Sequence, residues 1–226
     1  MSNTSIITKY QQAWLGRLER EPNEDFFRYE RNWFLPTLMK QNESVLDLAS
    51  GNSIVGEYWQ KHFGAQVTAI DISSVAIEDA KKRGVNALVG SVEEKLPFKS
   101  GSFDTIFWGD NIEHVFSITT IMKEIYRVLK PGGRIILSTP NQSYWRYRWH
   151  MFKNGELPKT EGEQNNPWNW EHIRFFNNRI LKDLFSQSNF RETTILGVSR
   201  RRIDRIFLKS LPELFGMIIV VEAIKI

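Results

Sequence analysis

The chain has 226 residues, 41% of them hydrophobic and 25% charged, an ordinary globular composition whose length suits one sizeable α/β domain with elaborations. No apolar run approaches the roughly 18 to 20 residues that span a bilayer, and the N-terminus does not pair a cationic region with an apolar core, so a soluble, cytoplasmic protein is expected. Zero cysteines exclude disulfides and thiolate metal sites, and the net charge of +4 is unevenly placed: Asn141 to Ser210 holds 13 Lys and Arg against 7 Asp and Glu, an excess suited to an anionic partner.

Residues Ser5 to Glu19 carry Ile6, Ile7, Tyr10, Trp14, Leu15 and Leu18 at three-to-four-residue spacing, which predicts an amphipathic helix. A second helical stretch, Glu24 to Lys40, carries Phe26, Phe27, Trp33, Phe34 and Leu38, with Pro36 as a kink or break. Together they form a cover that a bound ligand could slide beneath. Val45 to Leu48 then reads as a buried strand. It runs into Ala49-Ser50-Gly51-Asn52-Ser53 and a helix over Ile54 to Phe63, so backbone N–H groups can approach a ligand above the strand's carboxyl end. Asp47 inside that strand needs a partner, because an unpaired buried carboxylate is costly.

Gln66 to Ile70 is a second strand ending in Asp71, about 20 residues beyond Gly51, where a carboxylate can accept both hydroxyls of a ribose. Ser73 or Ser74 caps a helix through Arg83, Gly84 ends it, and Ala87 to Gly90 is a third strand. Phe103 to Trp108 is a fourth strand. Gly109-Asp110-Asn111 and a helix to about Lys130 follow, Pro131-Gly132-Gly133 stops the helix, and Arg134 to Ser138 begins a fifth strand. From Thr139 to about Phe176 periodicity is lost, but Tyr144, Trp145, Tyr147, Trp149, Trp168 and Trp170 argue for an ordered cap. Asn178 to Ser188 is helical, Glu192 to Val198 and Met217 to Ile224 are the last two strands, and Arg200, Arg201, Arg202, Arg205 and Lys209 make the connection between them basic.

The expected architecture is therefore α/β, a doubly wound, seven-stranded, mostly parallel Rossmann-like sheet with an antiparallel last strand, N-terminal helices and an inserted cap. It is expected as one domain: residues 1–42 the helical cover, 43–138 the cofactor-binding core, 139–176 the aromatic cap, and 177–226 the C-terminal half of the sheet, with the basic connection at 199–213.

Asp47 with its small-residue turn, Asp71, the Phe103-Asp104 pair and the block Arg127 to Gly133 resemble the class I S-adenosylmethionine-dependent methyltransferases, type 11-like. Ser138 to Asn141, the aromatic segment and Glu171 to Phe176 are similar to the methionine biosynthesis protein W-like branch and related small-molecule and glycan methyltransferases. The resemblance implies S-adenosyl-L-methionine as cofactor and S-adenosyl-L-homocysteine as product. It implies cofactor contacts from Asp47, Ala49, Ser50, Gly51, Asp71, Ile72, Ser91, Val92 and Gly109. Ser53 stands where the family has a glycine, and Ser91 where an acid often meets the adenine.

Methyl transfer from a sulfonium is an in-line displacement with a neutral leaving group, and it requires no metal. The expected reaction methylates a small, acidic or sugar-containing acceptor at oxygen. Tyr144, Trp145, Trp149 and Trp170 would wall the pocket, while Arg200, Arg201 and Arg202 would hold the acceptor's anionic part. His114, His172, Asp110 and His150 are the bases within sequence reach of the site. A nicotinamide enzyme would need Gly-x-Gly-x-x-Gly after the first strand, which is missing. A nucleic-acid methyltransferase is the nearer rival, but Gly109-Asp110-Asn111-Ile112 lacks the Pro-Pro-aromatic motif of base-amino methylases. A binding protein without turnover is the alternative from another class. Oligomeric state is not legible.

Overall fold

The computed structural model describes residues 3–20, 25–158 and 172–226. Helix α1 (Asn3–Arg20) opens the chain, and α2 is the single turn Leu35–Leu38. The parallel unit follows as β1 (Ser44–Leu48), α3 (Ile54–Phe63), β2 (Gln66–Asp71), α4 (Ser74–Lys82), β3 (Asn86–Val89), β4 (Phe103–Gly109), α5 (Ile118–Val128) and β5 (Leu129–Pro140). The chain closes with α6 (Trp145–Asn154), α7 (Asn178–Gln187), β6 (Phe190–Val198), α8 (Arg202–Phe207), α9 (Pro212–Phe215) and β7 (Ile218–Lys225).

The seven strands form one sheet in the order β3-β2-β1-β4-β5-β7-β6, with β7 antiparallel to both neighbours and the other pairings parallel. Alternation along β1 sends Leu46 and Leu48 into one core layer, with Ile106, Trp108, Ile125 and Phe185. Val45 goes into the other, with Ile54, Val55, Trp59 and Val67. Asp47 shares the parity of Val45 and so points to the side covered by α3. The order reverses at β1 and β4, which opens a crevice above their carboxyl ends.

The motif residues lock this frame. Asp104 accepts Lys130 Nζ on both oxygens at 2.8 Å and the Ser44 amide at 2.9 Å, tying β4 to β1 and β5. Arg127 donates to the carbonyls of Phe98 and Leu96 at 2.7 and 3.0 Å.

Three expectations are corrected. Glu24 to Lys40 is not a helix: Glu24 lies outside the described residues, and the rest is two 3₁₀ turns, Phe26–Arg28 and Glu30–Trp33, followed by α2 with Pro36 in its first turn. Asn32 and Trp33 side chains donate to the carbonyls of Phe26 and Phe27, and Pro36 has no N–H to continue a longer helix. The fifth strand begins at Leu129, before Pro131-Gly132-Gly133, because that tripeptide forms a bulge between the pairings Phe103–Leu129 and Thr105–Arg134, with Gly132 at φ 70°. The cap contains α6, on which Trp145, Trp149 and Phe152 stand at helical spacing although the helix buries no residue.

Candidate active site

The turn after β1 is built from left-handed residues, Ala49 at φ 53°, Gly51 at 55° and Ser53 at 50°. Two of the three are not glycine, so the surroundings hold them there. Ser53 is fully buried, and its hydroxyl donates to Asp47 Oδ2 at 2.6 Å. Gly56 makes room for this pair: a Cβ there would lie 2.3 Å from Ser53 Oγ and 3.4 Å from Asp47 Oδ2. The serine that replaces the family's glycine thus turns inward and supplies the partner that Asp47 requires. Burial still pushes the Asp47 carboxyl up to about 7; the Ser53 hydrogen bond and the Arg31 charge oppose that rise, and Asp71 adds to it.

Asp71, at the tip of β2, accepts the Gly51 amide on Oδ2 and the Ser73 amide on Oδ1, each at 2.8 Å. It braces the turn against the start of α4. Burial raises its pKa, and the Ser73, Gly51 and Ile72 amides lower it. Above the turn lies α1. Gln11 Nε2 donates to Ser74 Oγ at 3.1 Å, and the Trp14 ring lies so close over Gly51 that a Cβ at that glycine would be 2.3 Å from it.

Beneath α1 is a cavity of about 890 Å³. Its walls include Tyr10, Gln11, Trp14 and Arg17, the turn residues Asp47, Ala49, Ser50 and Gly51, then Asp71, Ile72, Ser91, Val92 and Gly109. Arg31 also lines it, paired with Asp110, stacked 4.7 Å over the Tyr29 ring, and with a buried Nε that has no hydrogen-bond partner among the described residues.

A second cavity, of about 540 Å³, shares Asp110 and His114 with the first. Its walls include Glu30, Glu113, Pro140, Tyr144, Arg146, Tyr147, His172, Arg200 and Arg201. Glu113 is buried, accepts Thr139 Oγ1 at 3.0 Å and lies 3.9 Å from His172 Nε2. The His172 and His114 rings meet edge to face at 4.6 Å, and polar atoms of the three residues lie within 4.8 Å of one another. Burial pushes the Glu113 carboxyl up to about 8, with the Asp110 charge adding to it and Thr139 and Arg31 opposing. Local backbone pairing assembles the cluster: the amides of Ile173 and Arg174 donate to the Glu113 carbonyl, and the Arg174 guanidinium to the carbonyls of Val115 and Phe116.

Residues 46–137 match a family described as a methyltransferase domain. The matched stretch runs from β1 into β5 and is similar to methyltransferase domains. The chain is 37% identical over 105 residues to a ubiquinone biosynthesis O-methyltransferase of Xanthomonas oryzae, a match covering 44% of each chain. A ubiquinone/menaquinone biosynthesis C-methyltransferase of Desulfotalea psychrophila is 30% identical over 162 residues, 65% of each chain. The match thus spans less than half the length of the first relative and about two-thirds of the second. A SAM-dependent methyltransferase structure from Aquifex aeolicus superposes over the full length of both chains with a TM-score of 0.62 at 18% identity, which shows the shared fold.

The larger cavity fits S-adenosylmethionine, the methyl donor that the resemblance implies, chemically. Asp71 retains lone pairs for ribose hydroxyls, Ser91 and Val92 also line the wall, and Arg31, whose Nε lacks a partner among the described residues, offers a cation to the methionine carboxylate.

The structure brings only part of the sequence-derived acceptor residues to the smaller cavity. His114, His172, Asp110, Tyr144, Arg200 and Arg201 line it. Arg202 is exposed on α8 and is not in its wall. Trp145 turns instead to Asp204, donating to Oδ1 at 2.9 Å, and Trp149 is exposed; neither lines the cavity. Trp168 and Trp170 lie outside the described residues. His150 contacts Asn154 on α6 and not the cluster. Asp110 is committed to Arg31 and to the Ser138 hydroxyl at 2.6 Å. The sequence reading missed Glu113, Arg31 and Arg146. Glu113 had a readable signal, a lone acid in the apolar stretch Ile112-Glu113-His114-Val115.

Proposed function

We propose that the chain moves the S-adenosylmethionine methyl group to a hydroxyl oxygen of a small anionic acceptor seated in the 540 Å³ cavity. The observation that carries this reading is that the two cavities meet at Asp110 and His114, with Glu113 and His172 on the acceptor side. When bound, S-adenosylmethionine supplies an electrophilic methyl group on a sulfonium that leaves as a neutral thioether. The protein's part is alignment, water exclusion and handling one proton.

His172, backed by Glu113 at 3.9 Å and packed against His114, takes the acceptor's hydroxyl proton. Arg146 and Arg201 hold the acceptor's anionic group, and Arg200 joins them while paired with Glu30 at 2.8 Å. Tyr144 and Tyr147 give the cavity two aromatic walls. The Tyr144 hydroxyl is fixed on Asp204 at 2.6 Å, and burial raises its pKa, which keeps it protonated and rigid. These walls, with relatives named for ubiquinone biosynthesis, favour an aromatic acceptor over a sugar, and the arginines favour one that carries an acid group.

The test is incubation with methyl-labelled S-adenosylmethionine and a panel of hydroxylated aromatic acids and sugar acids, read by mass spectrometry. Label on the oxygen of an aromatic acid is expected. Tight cofactor binding with no labelled product across the panel would favour a binding protein without turnover and end this reading.

A further inference from the structure

Flanking the mouth of the smaller cavity is a surface that the methyl-transfer chemistry does not use. After its first turn, α6 stands clear of the fold, exposing Trp149 and Phe152, whose rings meet at 5.8 Å and which are 60% and 82% exposed. Helix α8 exposes Ile203 and Ile206 at 57% and 72%. The two elements are joined at one point. Buried Asp204 of α8 accepts the Tyr144 hydroxyl and the Trp145 indole at the start of α6, and the hydroxyl of Ser199. Asp204 faces inward, so Ile203 and Ile206 on its flanks face out.

The same two segments are rich in cations, and beyond Arg146, Arg200 and Arg201 of the cavity wall they carry Arg148, Lys153, Arg202, Arg205 and Lys209. Residues 145–158 and 199–211 carry eight Lys and Arg against two acids, Glu156 and the inward-facing Asp204. Exposed large apolar groups set among cations of one sign are the signature of a surface that enters the headgroup layer of an anionic membrane. A second copy of the chain is a poor occupant, because a two-fold contact would bring this positive patch against itself. Nucleic acid is a poor one too. Phosphates would meet the cations, but Phe152, Ile203 and Ile206 would find nothing apolar there.

We infer that this protein docks peripherally on an anionic lipid surface through α6 and α8, with the mouth of the acceptor cavity facing the bilayer. Trp149 and Phe152 of α6 and Ile203 and Ile206 of α8 enter the interface, while Arg148, Lys153, Arg202 and Lys209 meet lipid phosphates. Among the described residues no helix is long and apolar enough to cross a membrane, so the contact lies in the interface. Docking does not depend on which acceptor is methylated, and its test does not use activity.

The full chain is sedimented with vesicles of phosphatidylcholine alone and of phosphatidylcholine mixed with phosphatidylglycerol, at low and high salt. Binding to the mixed vesicles that salt weakens is expected, with each removed cation weakening it about fivefold. The double variant Phe152→Ser/Ile206→Ser should bind about tenfold or more weakly while keeping its circular dichroism spectrum and its affinity for S-adenosylmethionine. Absence of binding to the mixed vesicles overturns the inference. So does unchanged binding by the folded variant, or light scattering that shows a dimer which the same two substitutions dissociate.

Discussion

Replacing Asp71 with alanine removes two things at once, and the structure gives the size of each. The carboxylate accepts the Gly51 and Ser73 amides at 2.8 Å each, and charged hydrogen bonds contribute roughly 1.5–3 kcal/mol apiece. Burial opposes ionisation of the same group and raises its pKa, so relief of that desolvation offsets part of the loss. The expected net destabilisation is about 1–4 kcal/mol. The remaining lone pairs face the larger cavity, and losing their bonds to a ribose should weaken S-adenosylmethionine binding about ten- to hundredfold. Calorimetric titration, at a temperature where urea unfolding shows Asp71→Ala to be fully folded, separates the two effects. A variant that loses stability yet binds the cofactor with native affinity would refute the ribose role and leave Asp71 as a brace for the turn alone.

Other outcomes follow from the same geometry. Glu113 is protonated below about 8, so the rate of methyl transfer should climb as pH rises through that value, and Glu113→Gln should flatten the limb; a limb that persists in the variant would remove Glu113 from the proton path. Stability has the opposite slope. The folded chain holds protons on Asp47 and Glu113 above the pH at which the unfolded chain releases them, so urea resistance should fall as pH rises from about 4 to 8, with Asp47 alone contributing up to roughly 4 kcal/mol. Asp47→Asn should flatten that dependence between about pH 4 and 7 in paired urea melts. Gly56→Ala would set a methyl group 2.3 Å from Ser53 Oγ, and thermal unfolding should show a loss of about 2 kcal/mol or more with weakened cofactor binding. Arg201→Ala should raise the acceptor KM about tenfold with cofactor affinity unchanged, whereas Arg202→Ala, outside the cavity wall, should leave KM near its native value.

The sheet was legible because its order is written in local signals. Apolar runs of strand length, small-residue turns at their ends and amphipathic helices between them all describe one parallel unit, and Phe103-Asp104 with Arg127 to Gly133 marks the contacts that lock it. The cover was harder to read. Its aromatics have helical spacing, but side-chain bonds from Asn32 and Trp33 to nearby carbonyls hold tight turns instead. Helix α6 had a readable signal in Trp145, Trp149 and Phe152 at helical spacing, but these alternate with Arg146, Arg148 and His150 and the helix buries no residue, so the spacing marks no core face.

In the site, Asp47, Asp71 and the turn are close in sequence to the motif that contains them, and they could be named in advance. Glu113 could be noticed as a lone acid but not given a role, and Arg31 could not be picked out, since their roles come from pairing across the fold, with His172 and Thr139 for one and with Asp110 for the other. Trp145 illustrates the converse. An aromatic in a cap reads as a pocket wall, but its indole N–H is satisfied by buried Asp204, which turns the ring away.

The central claim is that donor and acceptor occupy neighbouring cavities that meet at Asp110 and His114. A crystal structure with S-adenosylhomocysteine tests it most directly. The account predicts the ribose on Asp71, the amino-acid carboxylate toward Arg31, and the sulfur facing the Asp110–His114 edge of the acceptor cavity. A ligand whose sulfur points away from that edge, or one bound outside the 890 Å³ cavity, would contradict it.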